Sequence, residues 1–205
     1  MRKNADRSQI IHIIIRKNTG FSLALRRGFC YTILINGQKE DVKQYAFQLL
    51  PHPNVRYQSA LEKLGKAELQ CMLLALDVFT EPRVESIGGT PFLTFECSAL
   101  NEKALEQLSF LSSVYLWTRR DGEALIPLAR PRGRYLPEEM AEVLKYKGKT
   151  NAAFTSLMLN LARSQSAFFH EKRPLTVLDP LCGKGTTLYC ALAQGMHAVG
   201  LDRDR

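Results

Sequence analysis

Apolar and polar positions change rhythm several times along the chain, and each change predicts an element. Ile10–Arg16, Phe21–Arg27 and Cys30–Asn36 are short apolar runs that predict strands. Gly28 separates the last two, and Asn36-Gly37 supplies turn chemistry after them. Glu40–Leu50 reads as a helix stopped by Pro51 and Pro53. Ser59–Phe79 sets Leu61, Leu64, Leu69, Met72, Leu73 and Leu76 at helical spacing, as one helix or as two broken near Gly65. Gly88-Gly89 predicts a turn, Phe92–Cys97 alternates like a strand, and Asn101–Ser112 reads as a helix. Val114–Thr118 and Ala124–Leu128 flank Arg119–Glu123, which predicts a hairpin with Asp121-Gly122 at its tip. Residues 1–129 are therefore expected to form an N-terminal α+β domain, with no internal repeat.

The rhythm then changes. Arg130–Arg134 is a basic linker punctuated by Pro and Gly, and Leu136–Tyr146 is expected to be a helix with acids in its first turn. Ala152–Ser164 predicts a strong helix, with Phe154, Leu157, Met158, Leu161 and Ala162 on one apolar face. Leu175–Leu178 is a short apolar run suited to a buried parallel strand. It leads into the glycine-bearing stretch Asp179–Thr187, a helix over Leu188–Gln194, a stop at Gly195, and a second strand over Met196–Leu201 that ends at Asp202. The expected class is α/β, with this strand–loop–helix–strand unit following the α+β region.

That unit carries candidate chemistry. Gly183 and Gly185 let the backbone turn tightly and approach a ligand without a Cβ clash. The loop leads into a helix N-terminus, which offers unpaired N–H donors. Asp202 follows Gly185 by 17 residues, and a carboxylate at the tip of the second strand can accept both hydroxyls of a ribose. An adenosine-type ligand over the carboxyl ends of the strands is expected. The P-loop pattern G-x-x-x-x-G-K-S/T fails, because Leu178 holds its first glycine position and Gly185 follows Lys184. Gly148-Lys149-Thr150 fails as well, with Val143 at the first glycine position. The dinucleotide pattern G-x-G-x-x-G has Leu188 at its third glycine. S-adenosylmethionine is the ligand left standing.

Asp179-Pro180-Leu181-Cys182-Gly183-Lys184-Gly185-Thr186-Thr187-Leu188 resembles the D-P-x-C/A-G-x-G-T/S first motif of class I methyltransferases. It is most similar to the RNA methylase branch that includes THUMP-associated tRNA guanosine methylases. Lys145–Asn151, followed by Phe154-Thr155 and Leu157–Leu161, is similar to the K-Y-x-G-K-T-N segment of bacterial members. The resemblance covers residues 130–205; residues 1–129 carry no THUMP pattern. It implies that residues 130–205 begin a Rossmann-like methyltransferase domain. Asp179, Gly183 and Gly185 would form the methionine side of the cofactor pocket. Pro180, Cys182 and Thr186 complete the same loop, Asp202 would hold the ribose, and Thr150 and Asn151 would close the pocket. The implied activity is S-adenosylmethionine-dependent methylation of a base nitrogen in RNA (tRNA or rRNA), with DNA as the other substrate. The family's transfer motif, N/D-P-P-Y/F, has no counterpart, since the sequence holds no Pro-Pro pair. The chain is accordingly expected to be the front of a catalytic domain. An inactive remnant, or a nucleic-acid-binding module without catalysis, is the alternative.

Composition adds a little. A net charge of +8 over 205 residues leans toward a polyanionic partner. Arg119, Arg120, Arg130, Arg132, Arg134, Lys145, Lys147 and Lys149 could meet phosphate, although five acids lie among them and a solvated surface fits as well. Tyr135 and Tyr146 read as core residues before they read as base-stacking ones. The five cysteines show no C-x-x-C spacing, which disfavours zinc and disulfides and points to a reducing, cytoplasmic setting. Cys182 reads as packing inside the cofactor loop, not as a nucleophile, and Lys184 as a solvated cation. His170 and His197 have no Ser or Cys at triad spacing. No apolar run approaches membrane-spanning length, so no membrane partner is expected.

Overall fold

The computed structural model describes residues 34–35, 38–39, 42–51, 55–129, 136 and 150–203. The strands expected over Ile10–Arg16 and Phe21–Arg27 lie outside these residues. So do the linker Arg130–Arg134, the segment Lys145–Lys149, and all but Leu136 of the helix expected before it. The chain divides into two units, Met1–Lys39 and Glu40–Arg205. In the first, β1 (Leu34–Ile35) pairs antiparallel with β2 (Gln38–Lys39), Ile35 opposite Gln38. The turn expected at Asn36-Gly37 lies outside the described residues.

The second unit is mixed α/β. A five-stranded antiparallel sheet runs in the order β4-β5-β3-β6-β7, formed by β3 (Lys43–Leu49), β4 (Arg83–Ile87), β5 (Thr90–Cys97), β6 (Val114–Asp121) and β7 (Ala124–Pro127). Helix α1 (Val55–Ala75) follows β3, and α2 (Glu102–Leu108) lies between β5 and β6. Beyond them come α3 (Ala152–Ser164), β8 (Thr176–Asp179), α4 (Thr186–Ala193) and β9 (His197–Gly200).

The helix expected over Glu40–Leu50 is instead β3, the central strand. Tyr45, Phe47 and Leu49 alternate with Gln44 and Gln48, and the three large side chains enter the core. Ala46 sits between Thr94 and Thr118 on the two neighbouring strands, and all three are buried. Gln, Ala and Leu are good helix formers locally, but a strand paired on both sides overrides that preference. Tyr45 stacks on Phe95 with ring centroids 5.2 Å apart, and its hydroxyl accepts from Leu100 N at 2.9 Å.

Two further elements differ from expectation. The sequence pattern missed β4, an edge strand whose Arg83, Val84 and Ser86 are exposed, so it lacks a clear apolar alternation. The turn at Gly88-Gly89 that joins it to β5 is present, with φ of +58° and +79°, as a two-residue hairpin of mirror-image type requires. The other hairpin is tighter than expected: β6 continues through Arg119 and Arg120 to Asp121, leaving Gly122 and Glu123 as the loop.

Helix α1 runs unbroken through Gly65. A Cβ there would meet Ser113 Oγ at 2.5 Å, so the glycine permits close approach and does not break the helix. Leu69, Met72 and Leu73 pack onto Phe47, Leu49, Leu93 and Trp117, while Leu64 of the expected stripe is exposed. Trp117 Nε1 donates to Leu108 O at 2.9 Å, which ties α2 to the sheet.

Helix α3 has the bounds read from sequence but buries a different face. Thr155, Leu157, Leu159, Asn160 and Ser164 are buried, whereas Phe154, Met158 and Ala162 are exposed. Polar contacts orient it. Asn160 Nδ2 donates to Glu68 Oε1 of α1 at 2.6 Å and to Phe110 O at 2.7 Å. Arg163 donates to Gln194 Oε1 at 2.9 Å and to Gln107 Oε1, with its guanidinium 5.6 Å from the centre of the Phe110 ring. Burial holds the Arg163 pKa below its usual value, with Glu106 acting in the opposite sense.

Candidate functional site

Strands β8 and β9 pair in parallel, Thr176 opposite His197 and Asp179 opposite Gly200. Helix α4 makes the crossover between them, and Val177 and Ala198 turn toward a small core of Leu159, Cys190, Ala191 and Met196. Both strands thus end at the same edge, where Asp179 and, two residues past Gly200, Asp202 are found. The backbone fixes the loop there. Leu201 N donates to Asp179 O, and Cys182 N donates to Leu201 O, each at 2.9 Å. Asp179 Oδ1 accepts from Leu181 N at 3.1 Å, closing a local Asx turn.

Three glycines shape the rest of the loop and the strand beside it. Gly183 has φ +51°, and a Cβ on it would lie 3.8 Å from Asp202 Oδ2. The loop backbone and the Asp202 carboxylate are therefore neighbours. Gly185 has φ +83°, accepts from Tyr189 N at 3.0 Å and starts α4, with Thr186 buried beside it. Gly200 admits no side chain: a Cβ would come within 2.6 Å of Leu188 Cδ1 and 2.7 Å of Cys182 Sγ. Sequence reasoning did not single out Gly200; its signal was a glycine in a strand, two residues before the strand-end acid.

The loop accordingly brings together Asp179, Pro180, Cys182, Gly183, Gly185 and Thr186, with Asp202 against it. Pro180 and Lys184 are exposed, and Cys182 is half-buried with its sulfur packed toward Gly200. Thr150 and Asn151 stand at the start of α3. Thr150 is exposed, and Asn151 caps the helix, its Oδ1 accepting from Phe154 N at 2.9 Å and its carbonyl from Thr155 N. That end of α3 meets α4 where Cys190 Sγ lies 3.6 Å from Ala152 O.

Elsewhere the candidates are ordinary. His170 and His197 are exposed. Of the basic cluster considered for phosphate, Arg119 and Arg120 fall within the described residues. Arg120 faces Glu85 at 3.7 Å and donates to Gly122 O. Among the described residues no helix is long and apolar enough to cross a membrane. Comparison with family models, curated proteins and solved structures returns no match for this chain.

Proposed function

We propose that residues 130–205 hold the cofactor end of an S-adenosylmethionine-dependent methyltransferase of Rossmann-like build, acting on a base nitrogen in RNA. The observation that carries the cofactor reading is the placement of Gly183 directly beside the Asp202 carboxylate, at the shared carboxyl edge of two parallel strands. That edge is where open parallel sheets bind ligands. The donor set fits the group: glycine backbone for close approach, the N-terminus of α4 at Gly185, and a carboxylate for a pair of ribose hydroxyls. A side chain at Gly183 would project toward Asp202 and narrow that cradle.

In this reading Asp202 holds the ribose, while Asp179, Gly183 and Gly185 fix the methionine end. Thr186 secures the turn into α4, Cys182 packs against Gly200, and Thr150 and Asn151 frame the approach from α3. S-adenosylmethionine bound there supplies a methyl group on a positively charged sulfur. No Pro-Pro pair occurs in the chain, so none of its residues is given the task of orienting the acceptor. The RNA substrate rests on the resemblance of Asp179–Leu188 to RNA methylases and on the net charge of +8. The five cysteines of the sequence show no C-x-x-C spacing, which favours a reducing, cytoplasmic setting. The test is calorimetric titration of S-adenosylmethionine into the 205-residue chain and its Asp202→Ala variant. Binding by the parent and at least about tenfold weaker binding by the variant are expected, from loss of a carboxylate–hydroxyl pair. Equal affinities would refute the ribose assignment.

A further inference from the structure

A fully buried carboxylate lies between the sheet layer and the glycine-loop layer. Glu68, on α1, has no solvent exposure. It accepts from Ser112 N at 3.1 and 3.2 Å, contacts Ser112 Oγ at 2.8 Å, and accepts from Asn160 Nδ2 of α3 at 2.6 Å. The second N–H of Asn160 goes to Phe110 O at 2.7 Å, and its Oδ1 is buried without a hydrogen-bond partner. The segment between α2 and β6 thus presents uncharged groups to the carboxylate, and so does α3 through Asn160. The cation of α3 one turn on, Arg163, is committed to Gln107, Gln194 and the Phe110 ring, with Glu106 as its acidic neighbour. No cation is among the groups holding Glu68 in the described residues.

We propose that Glu68 and Asn160 form a proton-operated latch: the contact between α1 and α3 tightens when Glu68 is neutral and loosens when it ionises. The latch is independent of what the glycine loop binds. The neutral form keeps every partner, because a proton on Oε2 can be donated to Ser112 Oγ while Oε1 still accepts from Ser112 N and Asn160 Nδ2. The ionised form has the same partners but places a charge without a counter-ion in a fully buried site. Burial raises the Glu68 pKa above its ordinary 4.5, and the bonds from Asn160 and Ser112 offset only part of that rise. Lifting α3 from α1 exposes the carboxyl and lowers its pKa toward the ordinary value. The closed form therefore binds the proton more tightly. Its advantage is complete below about 4.5 and is lost as pH rises through the elevated pKa of the closed form.

Native-state hydrogen exchange on the full chain, corrected for intrinsic rates, tests this. The opening constant of α3 amides should rise with pH in that window, by up to about tenfold per unit for one proton. In Glu68→Gln it should be flat. A flat profile in the parent, a retained slope in the variant, or an equal slope in β3 and β5 amides would overturn the latch. Should Glu68→Gln not fold, carbon-detected titration of the Glu68 carboxyl in the parent decides: a value above the ordinary range supports the latch, and one near 4.5 overturns it.

Discussion

The antiparallel sheet layer and the glycine-loop layer are built on opposite economies of side chain. Around β3, large groups interdigitate with almost no solvent contact: Phe47, Leu49, Leu69, Met72, Leu73 and Leu93 are completely enclosed. Around β8 and β9, the small core of Leu159, Cys190, Ala191 and Met196 covers one face of the two strands. On the other face Leu178 and Val199, paired across the strands, are 61% and 48% exposed. A fully buried Leu or Phe contributes roughly 1.5–3 kcal/mol, so stability is concentrated in the first layer. The second gains order by leaning on it. Asn160, Arg163 and Phe169 all join α3 or the turn after it to the sheet side. Most of the buried apolar packing thus lies away from the glycine loop, which keeps Gly183 and Gly185 at positive φ.

The largest expected effect tests that dependence. Phe47→Ala removes a ring packed edge-on to Phe95 and tilted against Trp117, and should cost about 3–5 kcal/mol. Urea unfolding followed at Trp117 and by hydrogen exchange in α4 should show both layers destabilised together. Loss in the sheet alone would break the comparison.

Gly200→Ala should act in the reverse sense. Its Cβ would collide with Leu188 and Cys182, so a cost of about 1–3 kcal/mol is expected, confined to the loop, α4 and β9. Exchange protection in β3 and β5 should be unchanged, and affinity for S-adenosylmethionine should fall. Asn151→Ala is the mildest change: removing the cap on Phe154 N should cost about 1 kcal/mol, read as a lower melting temperature. A larger loss in ligand affinity than in stability would show that Asn151 also serves the pocket.

The same contrast decides what could be read from the residues alone. The glycine loop was legible because its determinants are local: positive-φ glycines, a strand on each side, and an acid at each strand tip. The bounds of α3 were legible for the same reason, since Asn151 caps it and the run after the cap is helical. Which face α3 buries was not, because that depends on Glu68 and Phe110, 92 and 50 residues away. A polar Asn160 inside and an apolar Phe154 outside reverse the usual rule. β3 was misread because its inward Tyr45, Phe47 and Leu49 gain their meaning from partners at 92–97 and 114–120. Edge strand β4 has too little buried surface to leave a pattern.

The most direct test of the account is an amide-shift titration of the isotope-labelled chain with S-adenosylmethionine. Shifts are expected at Gly183, Gly185, Thr186 and Asp202, with β3, β5 and β6 silent. Saturation without shifts at these four positions, or with shifts centred on the sheet layer, would contradict it.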